Sequence, residues 1–268
     1  MKIRTFATLI AVSCLFTGCA HFTPKCCTKG ETIALFDGSD LDQWYTFIRN
    51  RGRNTDPKGV FTVKDGLLVI SGEEWGCITT HKEYKNYHLV TEFRWGPETH
   101  APREDKTRDS GILLNSIGED GGYSGIWMHS IECQIIEGGT GDFIVVGNGT
   151  DNYRLACEVA DKKQGSSWIY KEGGTPQTIN GGRINWWGRD PSWSDTIDFR
   201  GAQDVEKPVG EWNRLECLVV DGEITITLNG IVVNKSVDVF PRHGRIQVQS
   251  EGAEIHFRNI TLHELPDV

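Results

Sequence analysis

From about residue 32 onward the chain alternates apolar and polar positions with a period of two. In "YHLVTEFRW", Leu89, Thr91, Phe93 and Trp95 fall on one face and His88, Val90, Glu92 and Arg94 on the other, the pattern of a half-buried β-strand. Asp65-Gly66, Asp221-Gly222 and Asn229-Gly230 interrupt such runs. Each pair tolerates the positive φ angles that a two-residue hairpin turn demands. Residues 215–236 therefore predict a three-stranded meander, and residues 244–265 predict two further strands. No long window carries apolar residues at helical spacing. Residues 160–202 break the pattern, being polar, Gly-rich and studded with Trp168, Trp186, Trp187 and Trp193; they read as one or two long loops laid over a single domain. Thirty-one glycines and nine prolines fit an all-β, turn-rich sandwich or jelly roll.

The first 18 residues stand apart. "MKIRTFATLIAVSCLFTGC" has Lys2 and Arg4, then an apolar stretch too short to span a bilayer, then small residues before Cys19. This is the pattern of an export signal, and it is similar to the lipobox of bacterial lipoproteins, which implies lipidation of Cys19. Ordinary cleavage near Ala20 is the alternative. No Asp follows Cys19, which points by analogy to an outer membrane, facing the periplasm or the cell surface. Residues 19–31 read as a tether and residues 32–268 as the domain. A net charge of −9 argues against a nucleic-acid partner. Of the eight cysteines, Cys26, Cys27, Cys77, Cys133, Cys157 and Cys217 remain beside Cys19 once the signal is removed. None forms a C-x-x-C pair, so a cysteine zinc site is not predicted. Cys133 and Cys217 alternate with apolar neighbours and read as core residues.

Five segments, "ALFDGSDLDQWYTF", "VKDGLLVISGEEWGCITTHKEYKNYHLVTEFRWG", "RDSGILLN", "SIECQIIEGGTGDF" and "QSEGAEIHFRNITLHEL", together resemble the 3-keto-disaccharide hydrolase family, over about residues 32–265. The resemblance implies a concanavalin A-like jelly-roll sandwich of two curved antiparallel sheets. It also implies cleavage of glycosides whose sugar already carries a ketone at carbon 3.

"SIECQIIEGGTGDF" carries the acidic residues. Glucanases of the laminarinase type have E-x-D-x-x-E on one strand, with a β-bulge that turns all three side chains to one face. Here the series is Glu132, Gln134, Glu137. Without a bulge, Glu132 and Gln134 share a face and Glu137 leaves it. In those glucanases the outer pair acts as nucleophile and acid and the middle Asp tunes them, so the uncharged Gln134 in its place weakens the case for an ordinary retaining glycosidase. It suits elimination better: a ketone at carbon 3 acidifies the hydrogen at carbon 2, a base removes it, and the glycosidic oxygen departs with a proton from an acid. Water then adds back. Glu132 is the candidate base and Glu137 a second carboxylate. Arg94 or a divalent cation is a candidate to polarise the ketone, and His129 to shuttle protons. Asp109 competes between a site role and an Asx turn, and Glu92 between a substrate contact and a solvated partner of Arg94. Glu132, Gln134, Glu137, Asp109 and His129 could ligate Ca²⁺, Mg²⁺ or Zn²⁺, although no fixed spacing supports a metal. Asp142 reads as a turn residue.

"INWWGRDPSW" places Trp186, Trp187 and Trp193 beside charged residues, which suits a sugar with apolar C–H faces and a rim of hydroxyls. Trp44 and Trp95 lie within strand patterns and read as core. Two alternatives to a 3-keto-glycoside hydrolase remain open at this point: a non-catalytic carbohydrate-binding sandwich and a conventional endoglucanase.

Overall fold

The computed structural model describes residues 30–267; the leader, Cys19, Cys26 and Cys27 lie outside the described residues. Among those described there is no helix. Two large sheets, of ten and nine strands, stack into the expected sandwich, nearly every strand pair being antiparallel. The three predicted hairpin turns form with both residues at positive φ: Asp65 and Gly66 at 52° and 75°, Asp221 and Gly222 at 48° and 80°, Asn229 and Gly230 at 50° and 83°. The predicted meander is the run of strands Asn213–Val220, Glu223–Leu228 and Ile231–Phe240.

The ten-stranded sheet is built around the long strand Tyr87–Thr99, which lies between Asn213–Val220 and Ala253–Glu264. The nine-stranded sheet is centred on Asp109–Ile117, with His129–Ile136 on one side and Arg245–Ser250 on the other. Between the sheets, the apolar alternates of these strands pack into one core that includes Phe93, Trp95, Ile131, Cys133, Ile135, Phe143 and Phe257. Trp44 and Trp95 are buried, and Cys77, Cys133, Cys157 and Cys217 are free and buried.

Residues 160–202 hold more order than loops. Thr175–Ile179 extends the ten-stranded sheet, whereas Gly182–Asn185 pairs with Phe143–Val146 and extends the nine-stranded one. The short connection at 180–181 thus joins the two sheets. These strands escape a search for alternation because they lie near sheet edges, where even inward-facing positions stay partly exposed.

Candidate active site

The nine-stranded sheet turns one face to the core and the other outward. Across the outward face, cross-strand partners place Tyr45, Thr79, Gln247, Leu113, Glu132, Ile144 and Arg183 in one row. Gly111 and Gln134 are opposite each other in the next. Between Ile131 and Ile136 the pairing with Asp109–Leu114 runs without a shift, so no bulge separates Glu132 from Glu137. Glu132 and Gln134 share the outward face while Ile131, Cys133 and Ile135 enter the core.

Gly111 is what makes room on this face. A β-carbon there would lie 2.4 Å from Glu132 Oε1 and 2.4 Å from Gln249 Oε1, so these oxygens meet over the bare backbone. Both are buried, and neither has a hydrogen-bond donor. Two acceptors facing each other require a proton on Glu132 or a rotation of the Gln249 amide. Burial pushes the Glu132 carboxyl up to about 8, with the Asp109 charge adding to it and Arg183 and Gln249 working against it. Asp109 Oδ1 accepts from Gln134 Nε2 at 2.5 Å, and its Oδ2 is 3.2 Å from Arg103 Nη2. Burial raises Asp109 to about 7 despite Arg103 and Arg183. Glu251, just beyond the strand that carries Gln249, is also pushed well up, first by burial and then by Asp109 and Glu132. The Asp109 charge thus opposes ionisation of Glu132 and Glu251, Glu132 opposes that of Glu251, and the field of Arg183 reaches all three.

Arg183 is held by a pedestal. Asp142 is fully buried and accepts from Arg189 Nη1 at 2.7 Å, from the Trp186 backbone N–H at 2.8 Å and from Arg183 Nη1 at 3.3 Å. The expected turn residue is thus the anion beneath two arginines. The Arg189 guanidinium also lies 4.1 Å from the centre of the half-buried Trp193 ring. Arg183, Asn185, Arg189 and Trp193 line a cavity of about 460 Å³, and Arg183 stands in the same cross-strand row as Glu132.

Other predicted site residues lie elsewhere. Glu137 leaves the strand end and is locked by Arg108: it accepts from Arg108 Nη1 at 2.8 Å, the Arg108 backbone N–H at 2.9 Å and the Asp198 N–H at 3.1 Å. It is a buried structural anion because the chain turns at Gly138, where φ is 72°. Arg94 and Glu92 belong to the other sheet, Arg94 donating to His256 and Glu92 paired with Arg258, so neither meets Glu132. The His129 ring stacks on Tyr153, centres 4.6 Å apart, at the start of its strand. Trp186 is buried in the core, and Trp187, at 38% exposure, rests on the ten-stranded sheet with its indole N–H donating to the Val232 carbonyl. Of the three tryptophans, only Trp193 lines the cavity beside Arg183. Among the described residues, no group of three or more His, Cys, Asp or Glu side chains is arranged to hold a metal ion. Sequence reasoning missed Gly111, Gln249, Glu251, Arg183 and Asn185. A signal existed in "GRIQVQSEG" and "GGRINWW", where polar residues alternate with core Ile246, Val248 and Ile184.

Residues 31–263 match the model of the 3-keto-alpha-glucoside-1,2-lyase-like domain. The chain belongs to that family. Membership makes it carbohydrate-active and glycoside hydrolase-like. No curated protein matches the sequence. The fold is similar to that of a protein from Parabacteroides distasonis provisionally described as a glycosyl hydrolase, at 20% identity and a TM-score of 0.51, over 88% of this chain and 94% of that one. A galectin-like protein of unknown function from Bacillus subtilis gives 10% identity and a TM-score of 0.48, with 90% and 97% covered. A β-glucanase from Bacillus licheniformis gives 8% and 0.40, with 88% and 92% covered.

Gly111→Ala tests the recess directly. The three atoms nearest the new methyl group are side-chain ends of Glu132 and Gln249, with no backbone among them, so the fold should persist within about 1 kcal/mol. Displacing the reacting oxygen should cost about 100-fold in kcat/KM. Melting curves and initial rates on the same preparation check both halves.

Proposed function

We propose that this protein cleaves 3-keto-glycosides, including 3-keto-disaccharides, by elimination and hydration at the Glu132 recess. The observation that carries the reading is Glu132 itself, a buried carboxyl with no donor on Oε1 and with the Asp109 charge acting on it. Perturbed carboxyls of this kind suit proton transfer near neutral pH. Glu132 as carboxylate takes the proton from carbon 2 while Asp109, carrying a proton, gives it to the departing glycosidic oxygen. The bond from carbon 1 to that oxygen breaks, and a carbon 1–carbon 2 double bond forms. Water then adds at carbon 1, Asp109 takes its proton, and Glu132 returns one to carbon 2. Both carboxyls end as they began, and the sum is hydrolysis. The Arg183 charge stabilises the enolate that develops as the carbon 2 proton leaves and again as water adds at carbon 1.

The glucanase alternative loses its second carboxylate, because Glu137 is consumed by Arg108 and two backbone donors. A purely binding module has no use for two buried carboxyls, Asp109 and Glu132, whose charges oppose ionisation. Export and lipidation at Cys19 complete the proposal on the strength of the leader sequence alone.

The coupled pair implies a bell-shaped pH profile, since activity needs one proton shared between Asp109 and Glu132. The kcat/KM should rise as pH passes about 7 and fall above about 8. Asp109→Asn should remove the alkaline limb, shift the acid limb to lower pH because the neighbouring negative charge is gone, and lower the maximum about 100-fold. Rates measured from pH 5 to 10 check this. The stepwise chemistry is tested by turnover in deuterium oxide: elimination and hydration leave deuterium at carbon 2 of the released 3-keto sugar. Product without deuterium there, against a control for spontaneous exchange, would establish direct displacement instead.

A further inference from the structure

The outward face of the nine-stranded sheet carries a third buried acceptor without a donor. Glu132 Oε1 and Gln249 Oε1 meet over Gly111, where a single proton or an amide rotation satisfies both. The third is Asn185 Oδ1. Asn185 is only 6% exposed, and a buried amide oxygen without a donor is uncommon in a finished protein interior. Two residues before it on the same strand, and so on the same face, stands Arg183. Arg183 shares the register row of Glu132 two strands away, about 10 Å at the usual spacing between strands. Its one side-chain hydrogen bond among the described residues is the long contact to Asp142, which leaves further N–H donors for a ligand.

Both residues line the cavity of about 460 Å³, whose walls are otherwise the polar turn at 164–167, Arg189, Asp190, Pro191 and Trp193. That volume is ample for a small ligand. The lining is mostly polar, with Trp193 held in place by the guanidinium of Arg189 on its ring and its own indole N–H donating to the Glu137 carbonyl at 2.9 Å. A substrate whose reacting carbons lie at Glu132 extends its departing group along the row toward Arg183 and into this cavity.

We infer that the cavity is the leaving-group subsite and that Asn185 determines its specificity, accepting a hydrogen bond from a hydroxyl of the departing group. The inference rests on Glu132 being the catalytic base. A leaving group with hydroxyl donors completes Asn185, whereas a planar phenol leaves its oxygen buried and unpaired. A site built for a donor discriminates against ligands that lack one.

The test compares two substrates in each enzyme: a 3-keto-disaccharide with glucose departing, and the p-nitrophenyl 3-keto-glucoside. The quantity read is the ratio of their kcat/KM values. Asn185→Leu, close in volume but without an acceptor, should lower the ratio about tenfold, the worth of one hydrogen bond. Asn185→Asp, which keeps an acceptor oxygen, should hold the ratio within about threefold of the wild type. A ratio unmoved by Asn185→Leu overturns the assignment. So does an equal loss on both substrates, which would mean that the residue supports the fold or the chemistry alone. Should wild-type enzyme turn over neither substrate, the Glu132 reading fails. The subsite is then judged by dissociation constants of the unoxidised disaccharide and p-nitrophenyl glucoside, whose ratio must shift tenfold between wild type and Asn185→Leu.

Discussion

Glu132→Gln should reduce turnover of a 3-keto-glycoside about 1,000-fold while making the protein more stable at alkaline pH. The kinetic half follows from removing a general base. The stability half follows from linkage. The Glu132 carboxyl is raised from its ordinary 4.5 to about 8 in the fold. Between those values the folded chain holds a proton that the unfolded chain has released, so stability falls as pH rises through the window, and the full cost is present above about 8. Glutamine occupies nearly the same space and never ionises. Its amide can also donate toward Gln249 Oε1. The melting temperature of the variant should therefore match wild type near pH 4 and exceed it by about 5 °C at pH 8. Calorimetry at the two pH values checks the sign: a variant less stable than wild type at pH 8 would mean that Glu132 is a structural anion. Gain of stability with loss of activity is the expected mark of a strained functional group.

Glu137→Ala should do the reverse, destabilising the fold by about 3–5 kcal/mol, about 10 °C in melting temperature. Arg108 is 5% exposed and Glu137 is 4% exposed. Removing the carboxylate leaves a buried guanidinium short of its partner, since Asp198, its other anion at 2.7 Å, is 69% exposed. It also leaves the backbone N–H groups of Arg108 and Asp198 without their acceptor. At a temperature where the variant remains folded, its kcat/KM should stay within about tenfold of wild type, because Glu137 does not share the Glu132 face. Thermal unfolding followed by circular dichroism, with rates at 15 °C, separates these outcomes. The paired glutamates of one short segment thus carry opposite duties, one costing stability for chemistry and the other supplying it.

Local physics was legible in the sequence and long-range contact was not. The hairpins at Asp65-Gly66, Asp221-Gly222 and Asn229-Gly230 could be read because two adjacent positive φ angles restrict the residues a turn accepts. The inward positions of Tyr87–Thr99 could be read because that strand packs one face on the core. The same period of two placed Glu132 and Gln134 together and warned that Glu137 needs a bulge to join them. What makes Glu137 structural is Arg108 just before a neighbouring strand and Asp198 in a distant loop, and no local pattern announces such partners. Trp186, Trp187 and Trp193 look equivalent in "INWWGRDPSW", yet one is core, one rests on the opposite sheet and one lines the cavity. Arg183 and Asn185 were hidden for a related reason. Their strand is four residues long near a sheet edge, too short for alternation to stand out from loop composition. Asp142 read as a turn residue because it sits beside glycines, and its burial depends on two arginines more than 40 positions away.

The most direct measurement of the central claim is release of p-nitrophenol from a p-nitrophenyl 3-keto-glucoside, run beside the unoxidised glucoside and beside Glu132→Gln. The account predicts turnover of the keto substrate alone, abolished by the substitution in a protein that remains folded. Equal turnover of both glucosides, or undiminished activity in Glu132→Gln, would contradict it.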